Sequence, residues 1–270
     1  MTLDDINNRG LLLLGCGKMG SALLQGWLRE GVDPSAVYVI EPSPSDWLKS
    51  TGVTIGGDIP TAPAVAILAV KPQMMGAALP QITNLGSGGT LMVSIAAGTP
   101  ISAFEATFGV DTPIVRAMPN TPAAVGKGIT ATMGNAAATA DHMALTDRLL
   151  GAVGQVVRLE TEDQMDAVTA VSGSGPAYVF HLIETMAAAG EAEGLPADLA
   201  LTLAKATVAG AGALAEAASE DPGQLRVNVT SPNGTTAAAL EVLMDAQKGF
   251  PVLVTQGVAA AANRSRELRS

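Results

Sequence analysis

Apolar residues arrive along the first half of the chain in short, unbroken runs separated by polar turns and helix-like stretches. "GLLLLG" (10–15), "AVYVI" (36–40), "AVAILAV" (64–70), "TLMVSIA" (90–96), "TPIVRAM" (112–118) and "GQVVRL" (154–159) each read as a strand. Continuous apolar runs, unlike alternating ones, fit strands covered on both faces. The intervening segments carry helical spacing, as in the stretch from the first glycine turn through Leu28. Strand and helix in alternation predict an α/β fold with a doubly wound, Rossmann-type parallel sheet.

The pattern changes near residue 160. From Glu162 onward no strand is expected, and helices are predicted over 177–195, 196–219, 235–247 and from Pro251 to the C-terminus. The expected layout is a dinucleotide-binding domain over 1–160 and an all-α domain over 161–270, the latter serving dimerisation and substrate binding. Long Ala-rich helices with Gly210 and Gly212 suit close packing, either within one subunit or against a second.

Composition narrows the chemistry. Hydrophobic residues make up 48% of the chain but aromatics only 3%, so the core is aliphatic. A formal charge of −10 disfavours a nucleic-acid partner, and any anionic ligand must be held by local donors. The mean hydropathy of +0.33 is high, yet the apolar runs fall short of the roughly 20 residues that span a bilayer. With an acidic, polar start and no signal-peptide pattern, a soluble cytoplasmic protein is expected. One cysteine, Cys16, allows no intrachain disulfide, and with only His142 and His181 beside it no His/Cys zinc site is expected. His181 lies in an apolar helical pattern and reads as core or interface; His142 reads as surface.

The first strand runs into G-x-G-x-x-G at Gly15, Gly17 and Gly20, enclosing Cys16, Lys18 and Met19 and opening a helix. In that setting the three glycines supply a tight turn, close approach to a pyrophosphate and close helix–strand packing. Glu41 stands 21 residues after Gly20, behind "VYVI", where an acidic residue meets an adenosine ribose. That favours NADH. Ser43 and Ser45 in "EPSPS" are potential donors to the 2′-phosphate of NADPH, so both cofactors stay open. A methyltransferase can also begin with strand, glycine turn and helix.

Five further segments decide between these readings: "AVKPQ" (69–73), "VSIAAG" (93–98), "VRAMPNTPA" (115–123), "VSGSGPAYVF" (171–180) and "TSPNGTT" (230–236). In this order, with the glycine turn, they resemble the Δ1-pyrroline-5-carboxylate reductase family over residues 10 to about 265. The resemblance implies hydride transfer from NADPH or NADH to C5 of the cyclic imine 1-pyrroline-5-carboxylate, giving L-proline, in a homodimer or larger homo-oligomer. It implies cofactor contacts at Gly15, Cys16, Gly17, Lys18, Met19, Gly20, Glu41, Ser43, Val70, Lys71, Pro72 and Asn120. It implies substrate contacts at Ser172, Ser174, Ser231, Gly234, Thr235 and Thr236, with Thr236 as the hydrogen-bond donor toward the imine nitrogen. Read from the residues alone, Gly234, Thr235 and Thr236 at a helix N-terminus form a cradle of N–H and hydroxyl donors suited to a carboxylate.

Two positions depart from the family pattern. Asn233 stands where a glycine is usual, and Val227 where an Asp usually follows the basic residue Arg226. Other readings are a short β-hydroxyacid or imine reductase and a non-catalytic NAD(P)H sensor. The first would need a catalytic lysine on a C-terminal helix, where only Lys205 is available.

Overall fold

The structure, a computed structural model, describes residues 3–86 and 88–269. Packing divides them into two compact units, residues 1–173 with 262–270, and residues 174–261.

The first unit begins with α1 (Leu3–Arg9), β1 (Leu11–Leu14), α2 (Lys18–Arg29), β2 (Val37–Ile40), α3 (Asp46–Ser50) and the two-residue β3 (Thr54–Ile55). It continues with β4 (Val65–Leu68), α4 (Met75–Ala78), β5 (Leu91–Ser94), α5 (Ile101–Phe108), β6 (Ile114–Met118), β7 (Gly128–Gly134), α6 (Ala140–Gly151), β8 (Gly154–Arg158) and α7 (Gln164–Val168). The sheet order is β3-β2-β1-β4-β5-β6-β7-β8. Four consecutive leucines form β1 because the strand is covered on both sides. Leu11 and Leu13 pack into one core cluster with Trp27, Val39 and Ile67, and Leu12 and Leu14 into another with Leu68, Met92 and Phe104.

All six expected strands form, but the sheet is not wholly parallel. β7 runs antiparallel to β6, with Arg116 opposite Met133, and β8 then pairs parallel to β7. A parallel neighbour needs a crossover of a dozen or more residues, whereas only residues 119–127 separate β6 from β7. β3 escapes the apolar pattern because two edge residues carry too little of it.

The parallel core positions the candidate site. β1 pairs with β2 on one side and β4 on the other, so strand order reverses between β1 and β4. In open α/β sheets, ligands bind outside the carboxyl ends of the strands at such a reversal.

The second unit is helical: α8 (Gly175–Ala192), α9 (Ala197–Ala217), α10 (Pro222–Asn228), α11 (Thr235–Leu243) and α12 (Phe250–Glu267), whose last turns count with the first unit. Pro176 stands in the first turn of α8, where its missing N–H leaves no broken bond. Gly190 of α8 faces Ala200 of α9, so small residues bring the two helices together. Asp221 caps α10, accepting from Gln224 N at 3.1 Å. α9 has 21 residues and a hydropathy of 1.2, which passes the length and apolarity of a membrane span. Its apolar side chains stay uncovered in the single chain, with Leu199, Leu201, Leu203 and Leu214 all exposed.

Candidate functional site

At the end of β1 the chain turns through Gly15 at φ +92°, where a Cβ would lie 2.8 Å from Val70 Cγ1 and 3.0 Å from the Ala69 carbonyl carbon. Only glycine fits that turn. Its N–H donates to Ile40 O at 2.9 Å, tying the turn to β2. Gly20 lies under it, and a Cβ there would sit 2.5 Å from Gly15 O. Gly17 differs: nothing lies within 4 Å of its would-be Cβ. It is the N-cap of α2 and offers no side chain to the free N–H groups of the first turn. The turn is therefore closed beneath and open above, the shape a pyrophosphate requires. The residues present fit a dinucleotide.

Cys16 is buried in the turn, its thiol 3.5 Å from Ser21 Oγ. Burial pushes the thiol pKa up, against the lowering effect of the Ser21 hydrogen bond, and the Glu41 charge adds to the rise. Lys18 and Met19 open α2; Lys18 is exposed and Met19 packs against the core. Beside them a shallow hollow is lined by Lys18, Ser21, Gln25 and Trp47.

Glu41 leaves the end of β2 and turns back on this loop. Its Oε2 accepts from Cys16 N at 2.9 Å and its Oε1 from Ser43 N at 3.0 Å. Ser43 is exposed, and Ser45 Oγ accepts from Leu48 N at 3.2 Å as the cap of α3. Val70, Lys71 and Pro72 follow β4 on the same edge: Val70 touches the Gly15 turn, Lys71 is exposed, and Pro72 starts a short 3₁₀ turn.

Asn120, after β6, is buried and engaged at both ends of its amide. Oδ1 accepts from Ile129 N at 2.9 Å and Nδ2 donates to Ser172 O at 3.1 Å. Here it braces the loop against β7 and against the one-turn π-helix at 169–173. The Ser172 hydroxyl donates to Val168 O at 3.0 Å. Gly173 leaves room for Met118, whose Cε would lie 2.7 Å from a Cβ there.

In the helical unit, Ser174 is the N-cap of α8, its carbonyl accepting from Ala177 N at 3.0 Å. Ser231 and Gly234 close a tight turn, with Gly234 N donating to Ser231 O at 3.0 Å. Pro232 followed by Asn233 at φ +59° is the residue pattern of a type II turn. Asn233 takes the left-handed conformation that a glycine would otherwise supply, so this departure keeps the backbone path. Gly234 caps α11 without a side-chain bond, leaving the first-turn N–H groups beside Thr235 and the half-buried Thr236. Arg226, next to the other departure, reaches Met244 Sδ at 3.3 Å.

Two buried charges went unremarked in the sequence. Arg116, 2% exposed within β6, donates to Glu162 Oε1 at 2.6 Å, and the same oxygen accepts from Ile101 N at 2.9 Å. Asp166, fully buried, pairs with Arg269 and accepts from Ser265 Oγ at 2.7 Å. A lone arginine inside the otherwise apolar run "TPIVRAM" is the signal that would have found the first. The histidines lie elsewhere. His142 caps α6, and His181, exposed on α8, is 3.1 Å from Glu184 Oε2.

Comparison with known proteins agrees with this architecture. Residues 162–268 match the family model for pyrroline-5-carboxylate reductase dimerisation, and residues 11–98 the model for NADP oxidoreductase, coenzyme F420-dependent. The chain is 39% identical to the pyrroline-5-carboxylate reductase of Pseudomonas aeruginosa, covering 96% of each. It is 39% identical to that of Pisum sativum, covering 94% of each. Among solved structures, the pyrroline-5-carboxylate reductase of Coxiella burnetii superposes with a TM-score of 0.91 at 33% identity, over 97% of this chain and 99% of that one. The Plasmodium falciparum enzyme with NADP bound gives 0.83 at 29% identity, over 98% and 99%.

Proposed function

The chain belongs to the pyrroline-5-carboxylate reductase family, and from that membership we infer that it reduces 1-pyrroline-5-carboxylate to L-proline with NAD(P)H, the last step of proline biosynthesis. The observation that carries the reading is likeness to curated reductases across 96% of the chain, so it covers the glycine turn and the α11 loop alike. The C-terminal region is a dimerisation domain, and the protein self-associates. We keep 1–160 as the cofactor domain and 161–270 as the dimerisation and substrate domain, and we place the enzyme in the cytoplasm.

Bound NAD(P)H supplies the hydride that C5 of the imine accepts. The protein's part is to hold, orient and complement charge. Gly15, Cys16, Gly17, Lys18, Met19 and Gly20 form the cradle for the cofactor's phosphates. Glu41 and Ser43 serve its ribose end, and Val70, Lys71, Pro72 and Asn120 line its path along the sheet edge. The uncapped N-terminus of α11, with Ser231, Gly234 and Thr235, holds the substrate carboxylate without needing a positively charged surface. The Thr236 hydroxyl hydrogen-bonds the imine nitrogen, fixing the ring so that C5 receives the hydride, while Ser172 and Ser174 line the ring. As the hydride adds to C5, the C=N π pair moves onto the nitrogen, which takes up one proton from solvent, so the reaction consumes one hydride and one proton.

The test is the rate of NAD(P)H oxidation with 1-pyrroline-5-carboxylate for the wild type, Thr236→Val and Thr236→Ser. Loss of a hydrogen bond to a charged group predicts a fall of about 10- to 100-fold in kcat/KM for Thr236→Val. Thr236→Ser is expected to restore most of it. No turnover by folded, cofactor-binding wild type would remove the reductase reading. Equal rates for all three would free Thr236 of its role.

A further inference from the structure

We propose that Glu41 and the proline-flanked turn behind it make this reductase select NADH over NADPH. The proposal rests on the reductase reading only for the identity of the nucleotide, and it runs against the NADP named for the matching family model and for the Plasmodium falciparum structure.

A 2′-phosphate must be met by cations, by backbone N–H groups, or by both. The turn Glu41-Pro42-Ser43-Pro44-Ser45 contains no Lys or Arg, and its two prolines have no N–H to give. Between the prolines only the Ser43 N–H is left, and it is already bound to Glu41 Oε1 at 3.0 Å. The Ser45 hydroxyl accepts from Leu48 N as the α3 cap, so its oxygen is held there while its O–H stays a neutral donor. Lys49, one helical turn on, pairs with Asp46 at 3.1 Å. What remains is neutral, the Ser43 and Ser45 hydroxyls and the Asp46 and Trp47 N–H groups at the start of the five-residue α3, all beside the carboxylates of Glu41 or Asp46, together with Lys18 across the glycine turn.

The same geometry suits an unphosphorylated ribose. A carboxylate accepts about four hydrogen bonds and donates none. The N–H groups of Cys16 and Ser43 use two of those positions and fix the group at the lip of the turn. Two remain for the O–H donors of a vicinal diol. A phosphate brings acceptors and negative charge to a group that is itself an acceptor and negative, so it is refused twice over. The Cys16 bond makes the arrangement rigid, because the turn that cradles the phosphates also holds the discriminating carboxylate in place.

The experiment is equilibrium binding of NADH, NADPH, ADP-ribose and 2′-phospho-ADP-ribose to the wild type, Glu41→Gln and Glu41→Ala. Calorimetry reads affinity, and thermal unfolding shows that each variant is folded. The wild type is expected to bind NADH, and ADP-ribose among the fragments, about tenfold more tightly than the phosphorylated counterpart. That gap should narrow as salt is raised, through gains on the phosphorylated ligands. Glu41→Gln retains the reach without the charge and should close most of the gap; Glu41→Ala should close it or reverse it. A wild type that binds NADPH as tightly as NADH, or a ratio that neither variant moves, overturns the proposal. The two readings fail separately. NADH-selective binding without turnover of 1-pyrroline-5-carboxylate removes the reductase and leaves Glu41 its role, whereas equal binding of both nucleotides by an active enzyme does the reverse.

Discussion

His142 shows how a helix-capping side chain gives the fold a pH dependence. Thr139 Oγ1 accepts from His142 N at 3.4 Å, and Thr139 N donates to His142 Nδ1 at 3.1 Å, so the two residues cap α6 reciprocally. The ring can accept only while Nδ1 is unprotonated. Burial is the main cause that holds the pKa below the ordinary 6.5, and the Asp141 charge opposes it. A pKa lowered on folding means that the native state binds fewer protons than the unfolded chain. The stabilisation is therefore complete above the unfolded value and is lost as pH falls through the lower folded one. Denaturant unfolding across that range should show stability declining toward acid, with the decline reduced in His142→Ala. Thr139→Ala should lose about 1 kcal/mol at neutral pH, as capping residues generally do. At the same scale, the place of Glu41 at the end of the second strand was legible from its spacing alone. Its hold on Cys16 N and Ser43 N was not, because a hydrogen bond between two loops depends on where strands β1 and β2 bring them.

Within the glycine turn, three identical residues do three different jobs, and alanine substitutions separate them. Gly20→Ala puts a methyl group 2.5 Å from a backbone oxygen, so α2 must shift away from β1. A destabilisation of about 1–3 kcal/mol is expected, with cofactor affinity lost alongside. Gly17→Ala meets open space at φ −71°, a conformation that alanine accepts. Its unfolding midpoint should stay close to that of the wild type while nucleotide binding falls at least tenfold, because the methyl group fills the approach to the phosphates. If Gly17→Ala binds NAD(P)H normally, the open face of the turn is not where the phosphates lie. Element boundaries followed the same logic of local signal. β1, β2, β4, β5, β6 and β8 were readable as apolar runs. β7, "GITATMG", alternates small and polar residues and carries Thr130 and Thr132 into the interior, so its pairing had to be seen.

At the scale of the whole molecule, the helical unit is too exposed to be complete as one chain. Phe180, Leu203, Leu214, Leu253 and Val254 are each between 47% and 59% exposed, a density of uncovered apolar side chains that a soluble monomer rarely shows. The dimerisation family match over 162–268 accounts for them, and it gives the apolar α9 a covering other than lipid. Stability should therefore depend on protein concentration, with the thermal midpoint rising as the chain is concentrated. Leu203→Glu should shift the protein toward monomer in sedimentation, and a concentration-independent midpoint in the wild type would contradict the account.

Several features needed nothing beyond the order of the residues. Repeated apolar runs of strand length require a sheet covered on both faces, and the glycine spacing after the first of them fits a tight strand-to-helix turn of the kind found at dinucleotide-binding edges. The change to helical spacing after Glu162 marks where strands stop, β8 closing at Arg158, and Asn233 before Gly234 is compatible with the bend that exposes the start of α11. These are local matters of period, dihedral freedom and donor supply, which act over a few residues. The direction of β7, the burial of Arg116 against Glu162 and of Asp166 against Arg269, the double engagement of Asn120, and the grip of Glu41 on the glycine turn depend on segments 9 to 103 residues apart. Only the folded chain decided them, because a buried polar group takes whichever partner the packing brings within reach.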